Sequence, residues 1–310
     1  MTMATVLTVQ GLIKNYGSFR AVDGISFSVP RGQAIGLLGP NGAGKTTTIQ
    51  VLLGITKVNG GTIHYFGQNF QHHRQACLQR INFSSSFNTL QGRITVWENL
   101  LVYAQLYRVQ HSKQKIMELV DYFQINNLLH ERLWDVSAGQ KTRVNLIKAL
   151  LNDPELILLD EPTASLDPDI ADKLLSLIEQ LKRDRQLSLL YTSHDMAEVT
   201  RICDEVIFLD HGKIVAQDTP LGLTKRITHS QLQLSFDGDQ TKLQQVLKPY
   251  QVRYTFPTSF SIRINLPEQL IPKVIFNLSQ AGVWITDIEI TKPTLEDVFL
   301  QIARGQHDIT

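Results

Sequence analysis

Cysteine is nearly absent from this 310-residue chain: Cys77 and Cys203 lie far apart, and neither belongs to a Cys-x-x-Cys pair. A disulfide framework and a cysteine-based zinc site are thereby excluded, and both thiols read as small buried hydrophobes. Long apolar runs are missing as well. No stretch reaches the roughly 18 to 20 apolar residues of a membrane span, and Met1 to Gln10 lacks the basic flank and apolar core of a signal peptide, so the chain is expected in the cytoplasm. Nor is there an excess of one charge. Thirty Lys and Arg against 29 Asp and Glu leave a net +1, which gives no broad basic field for nucleic acid, and none is expected as a partner. What is present, 43% hydrophobic and 19% charged residues with 19 Gly and 11 Pro, is the composition of a folded globular protein long enough for two domains.

The first segment alternates apolar and polar residues (Val6, Leu7, Val9, then Ile25, Phe27, Val29), the pattern of half-buried antiparallel strands. A short apolar run from Ala34 to Leu38 leads into a glycine-rich turn, and Lys45 to Leu53 reads as a helix. Helical periodicity dominates from Thr95 to Arg108, Ser112 to Phe123 and Gln140 to Leu151, a helical insertion. Buried-strand runs return at Leu156 to Leu159 and Leu187 to Tyr191 around a helix from about Asp169 to Lys182, the alternation of a parallel α/β sheet. Asp210-His211-Gly212 lies between two further strands as a hairpin signal. From about residue 229 the texture changes to polar-rich strands and two helices in the order β-α-β-β-α-β, a small ferredoxin-like unit, closed by a helix from Leu295 to Ala303. The expected domains are 1–228, with its helical part at about 87–150, and 229–310.

Gly39-Pro40-Asn41-Gly42-Ala43-Gly44-Lys45-Thr46 has the GxxxxGK[ST] spacing and stands where that spacing acts, after a buried strand and opening a helix. Glycines let backbone N–H groups close around phosphate oxygens, and the helix N-terminus adds its dipole. Lys45 neutralises β/γ charge, and the Thr46 hydroxyl suits Mg²⁺. The strand Leu156 to Leu159 carries Asp160 to the same edge as a metal ligand. Glu161 follows as the candidate general base that polarises an attacking water.

Between these two halves lies Val136-Ser137-Ala138-Gly139-Gln140, and the combination resembles the ABC transporter ATPases. The pentapeptide looks like that family's LSGGQ signature, with Ala138 in place of the first glycine. The resemblance covers residues 4 to about 225. It implies a P-loop NTPase with a parallel α/β core, an antiparallel β subdomain and a helical subdomain. It also implies ATP and Mg²⁺ as ligands, and two copies pairing head to tail so that Ser137, Ala138, Gly139 and Gln140 of one face nucleotide on the other's loop. Single positions follow. Tyr16 resembles the aromatic stacked on adenine, Ser165-Leu166-Asp167 the loop that communicates across the pair, and His194 the switch histidine at the γ-phosphate. Ser86 falls where the family has a glutamine that reaches the metal and the attacking water. Its shorter side chain leaves that contact to a bridging water, Asn88 or Gln91, or leaves the metal without it, with Ser86 merely ending a strand.

The threonine run Thr46, Thr47, Thr48 and the tail Pro293-Thr294-Leu295-Glu296-Asp297-Val298-Phe299-Leu300 resemble the type 2 exporter branch, whose ATPases are separate chains bound to membrane permease subunits. The expectation is an ATP-hydrolysing exporter subunit held on the inner face of the cell membrane through its permease. Two alternatives stay open at this point: a soluble ABC-type ATPase acting on a non-transport partner, and a slow-turnover nucleotide-binding regulator.

Overall fold

A computed structural model describes residues 4–85, 90–164 and 166–304. The chain divides into two compact units, Met1–Pro220 and Leu221–Thr310. In the first unit β1 (Thr5–Tyr16) and β2 (Phe19–Pro30) form a long antiparallel hairpin, and β3 (Ala34–Leu38) runs into the core and hands over to α1 (Lys45–Leu52). β4 (Gly60–Tyr65) returns against β1, followed by the short β5 (Gln68–Asn69) and α2 (Arg74–Leu78). β6 (Ile81–Ser85) precedes three helices, α3 (Val96–Leu106), α4 (Ser112–Tyr122) and α5 (Ala138–Leu150). Then β7 (Leu156–Asp160), α6 (Pro168–Arg185), β8 (Ser188–Thr192) and α7 (Met196–Ile202) alternate, before the hairpin of β9 (Glu205–Asp210) and β10 (Lys213–Asp218).

Two sheets result. One is antiparallel, in the order β2-β1-β4-β5, and the other runs β10-β9-β3-β8-β7-β6, with all its pairings parallel except β10 on β9. Every residue of β3 and β8 is buried, as expected of central parallel strands covered on both faces. The turn of the last hairpin is His211-Gly212, both at positive φ, the two-residue form that matches strand twist. Helix starts follow local chemistry. Thr95 caps α3 and Ser137 caps α5, each through a reciprocal capping box, while Pro168 occupies the first turn of α6. The cap on Ser137 starts α5 at Ala138, two residues before the periodicity alone indicates.

The second unit begins within the short α8 (Pro220–Thr224). It contains β11 (His229–Asp237), α9 (Gln240–Leu247), β12 (Arg253–Thr258), β13 (Ser261–Pro267), α10 (Ile271–Gln280), β14 (Trp284–Thr291) and α11 (Leu295–Ala303). Its sheet is antiparallel in the order β12-β13-β11-β14, with the first strand between the third and fourth, the split arrangement of a ferredoxin-like sheet. Leu232, Leu234, Ile262 and Ile264 from the strands pack with Leu243 and Val274 from the helices as its core.

One buried cation stands out in the first unit. Lys148 on α5 is only 6% exposed, and its Nζ donates to the carbonyl of Phe83 on β6 at 3.0 Å. Burial pulls its pKa down to about 8. Between that value and the ordinary lysine value the unfolded chain holds more protons than the folded one, so this residue makes stability rise with pH across that window. Urea unfolding of the wild type and of Lys148→Met at pH 7.5 and 10 should show the wild type gaining about 2 kcal/mol relative to the variant on going up. A stability difference that stays flat with pH would contradict the assignment.

Candidate functional site

Three strands end at one edge of the parallel sheet, and each delivers part of a cleft of about 370 Å³. The loop after β3 and the first turn of α1 supply residues 41–47, the end of β7 supplies Asp160 with Glu161 next to it, and the turn after β8 supplies His194, with Phe19 and Ala21 completing the wall. The loop's shape depends on glycine at position 44, which caps α1 at φ 106 and lies so close to β2 that a Cβ there would stand 2.5 Å from the Ala21 carbonyl oxygen. Lys45 Nζ donates to the carbonyls of Gly39 and Pro40, at 2.5 and 3.1 Å. Burial lowers its pKa, while the carboxylates of Glu161 and Asp160 act in the opposite direction.

Opposite the loop, the Thr192 hydroxyl donates to Asp160 Oδ1 at 2.6 Å, and the Glu161 amide donates to the Thr192 carbonyl at 3.1 Å. Glu161 adopts φ 49, a left-handed conformation that costs a residue with a Cβ about 1–2 kcal/mol. In that conformation Glu161 Oε1 accepts from His194 Nε2 at 2.8 Å. A strained backbone thus holds a carboxylate and an imidazole side by side at the cleft.

The cleft suits nucleotide phosphates and Mg²⁺ on its own chemistry. Backbone approaches at position 44 exclude any side chain, an ammonium stands at the loop, and a hydroxyl residue (Thr46) and a carboxylate (Asp160) line the same wall. Among the described residues no cluster of three or more His, Cys, Asp or Glu forms a metal cage.

Other residues singled out from the sequence lie elsewhere. Ser137, Ala138, Gly139 and Gln140 form the start of α5 and do not line this cleft. Ser137 Oγ accepts from the Gln140 amide at 3.3 Å, and Gln140 Oε1 accepts from the Ser137 amide at 2.8 Å. Tyr16 ends β1, 47% exposed, with Lys14 Nζ 4.9 Å from its ring centre, and it is not part of the cleft wall. The wall aromatic is Phe19, 62% exposed and paired with Tyr16 across the turn. Sequence reasoning missed Phe19, although an apolar ring one turn beyond Tyr16 at a strand start was a usable signal. Ser86, Asn88 and Ser165 lie outside the described residues. Gln91 is exposed, and its side chain accepts from the Arg93 amide at 3.4 Å.

The alanine within the pentapeptide has a plain reading. Ala138 is exposed, whereas Gly139 is buried against α6, where a Cβ would come within 2.5 Å of Ile170 Cγ2. Ile170 is branched at Cβ and cannot swing that methyl away cheaply. Gly139→Ala should therefore cost about 1–3 kcal/mol in urea unfolding, and Ala138→Gly less than about 1. Combining Gly139→Ala with Ile170→Ala should cost less than the sum of the two single changes. Strict additivity would show that the two positions do not meet.

The ABC transporter family pattern matches residues 22–164. Over its whole length the chain resembles curated ATP-binding proteins. It is 32% identical over 300 residues to the Nod factor export ATP-binding protein I of Rhizobium sp. (strain N33), covering 96% of each chain. It is 30% identical over 305 residues to the bacitracin transport ATP-binding protein BcrA of Bacillus licheniformis, covering 98% of this chain and 99% of that one. Among solved structures, the ATP-binding subunit of an ABC transporter superimposes with a TM-score of 0.64 at 26% identity, over 71% of this chain and 92% of the other. The protein cbiO1 of Clostridium perfringens, part of the ABC transporter complex cbiONQ, gives 0.65 at 25%, over 72% and 91%. With the phosphate loop, the Asp160-Glu161 strand end and this similarity along nearly the full length, the chain belongs to the ABC transporter family, as one of its ATP-hydrolysing ATP-binding proteins.

Proposed function

We propose that the chain is the motor of an exporter, working as a head-to-tail pair beneath separate membrane permease subunits. The observation that supports this most is the convergence of Glu161 and His194, 2.8 Å apart, on the cleft that also presents Lys45, Thr46 and Asp160. Relatives named for export of Nod factors and transport of bacitracin, matched from end to end, favour the export branch. Among the described residues no helix is long and apolar enough to cross a membrane, so the passage itself falls to the permease, which holds the chain at the inner membrane face.

In this reading Lys45 exchanges the carbonyls of Gly39 and Pro40 for phosphate oxygens, a stronger charge-assisted contact. Thr46 and Asp160 would hold Mg²⁺, which when bound would supply charge neutralisation for the phosphates. Glu161 takes a proton from the attacking water, and His194, bonded to the same carboxylate, fixes its orientation. Phe19 and Tyr16, on either side of one turn, give the base an aromatic platform. Ser137 and the amides opening α5 face the second copy's γ-phosphate, where a helix N-terminus favours negative charge. Residues 229–310 form an accessory domain that takes no part in the chemistry.

Two measurements test the reading. Glu161→Gln should retain ATP binding and lose about 100-fold or more of turnover, whereas Lys45→Ala should lose most binding. Unchanged turnover in the Gln variant would remove Glu161 from its role. Mixing a Lys45→Ala chain with a Ser137→Arg chain should restore activity, because in each mixed pair both lesions fall on one composite site and the other stays intact. Mixed pairs that form yet hydrolyse no faster than either variant alone would refute the head-to-tail geometry.

A further inference from the structure

Glu198 lies in the first turn of α7, only 8% exposed, and none of the roles above uses it. A single oxygen of its carboxylate, Oε2, accepts three hydroxyl donors. These are Thr163 Oγ1 at 2.8 Å, Tyr191 Oη at 3.0 Å and Ser193 Oγ at 2.8 Å. The donors come from three places. Tyr191 belongs to β8, fully buried; Thr163 lies two residues beyond Glu161; Ser193 immediately precedes His194. Ser193 Oγ also accepts the Asp195 amide at 3.0 Å, so its hydroxyl proton is free to point at Glu198.

A buried carboxylate costs several kcal/mol unless charge-assisted hydrogen bonds compensate it, and an arrangement that serves only to close the fold is matched by apolar packing of the same shape. Here the charge is spent on two loops rather than on the core. The strand supplies one fixed donor, and burial together with the Glu198 charge pushes the Tyr191 phenol far up, so that it remains a donor. The remaining two donors belong to the segments that carry Glu161 and His194. Those segments are otherwise joined by the Asp160–Thr192 and Glu161–Thr192 bonds at the strand ends and by the Glu161–His194 contact itself, the contact whose register the tie would hold.

We propose that Glu198 is a positioning residue that ties the loop after Glu161 to the loop before His194 and so keeps that carboxylate and imidazole in bonding register during hydrolysis. The proposal rests on the reading that these two residues act together at the nucleotide. A loosened loop misplaces the pair without removing either group, so its signature is a loss of kcat with little change in KM.

The full-length chain is assayed for ATP hydrolysis, for binding of a fluorescent ATP analogue, and for its thermal midpoint. Glu198→Ala should lower kcat about tenfold or more while KM and analogue affinity stay within about threefold. Glu198→Gln, whose amide oxygen still accepts hydroxyl donors, should recover kcat to within about threefold of wild type. Ile178→Ala, a core truncation in α6, serves as a control for lost stability, and its kcat below the melting range should match wild type. Thr163→Val and Ser193→Ala should each lower kcat, and the double variant should be no slower than the worse single, because cutting either arm already breaks the tie.

Wild-type kcat in a folded Glu198→Ala variant would overturn the proposal. So would a kcat loss no greater than that of Ile178→Ala at an equal fall in melting temperature, or additive effects of Thr163→Val and Ser193→Ala. If Glu198→Ala does not fold, the Thr163 and Ser193 variants decide alone. Glu161→Gln reports separately: lost turnover there, with Glu198→Ala at wild-type rate, removes the tie and leaves the underlying reading standing.

Discussion

Parallel pairing of β3, β8 and β7 is the constraint on which the site depends. Parallel neighbours end on the same edge, so the phosphate loop, the Asp160-Glu161 pair and the Thr192-Ser193-His194 turn emerge together although about 150 residues separate the first from the last. The register aligns Asp160 with Thr192, and the Thr192 hydroxyl closes on the carboxylate at 2.6 Å. Had the register slipped by one, those two side chains would face opposite sides of the sheet. The apolar residues of these strands therefore place the chemistry as much as they stabilise the fold.

Polar side chains of the first unit serve two ends in turn. Lys45 is tethered by its own loop, Ser137 by Gln140, and Glu198 by three hydroxyls. Each tether fixes a side chain in a rotamer before any ligand arrives, which lowers the ordering cost of binding. Lys148 differs, a buried cation that donates to a neutral carbonyl on β6, the strand that leads toward residue 86.

The parts legible in the sequence were those with local causes. A glycine-rich loop after an apolar run, an apolar run ending in Asp-Glu, a His-Gly turn and the strand and helix order of the second unit all follow from spacing over a few residues. Contacts assembled from distant segments stayed hidden. Glu198 reads as one more charge on a helix face, because Thr163, Tyr191 and Ser193 meet it only after β7 and β8 have paired. The distinction between Ala138 and Gly139 was likewise invisible, since it depends on which of the two faces Ile170. Phe19 escaped because Tyr16 resembles the family's adenine-stacking aromatic although it does not line the wall of the cleft.

The positive φ at Glu161 has a further consequence for inheritance. Glycine adopts that backbone without steric cost, so the folded state by itself would favour glycine over glutamate at this position. Lesions at this codon differ from core lesions, which lower abundance through clearance of unfolded chains. A glycine there would relieve that strain, so a Glu161→Gly chain keeps its fold where a core lesion loses it.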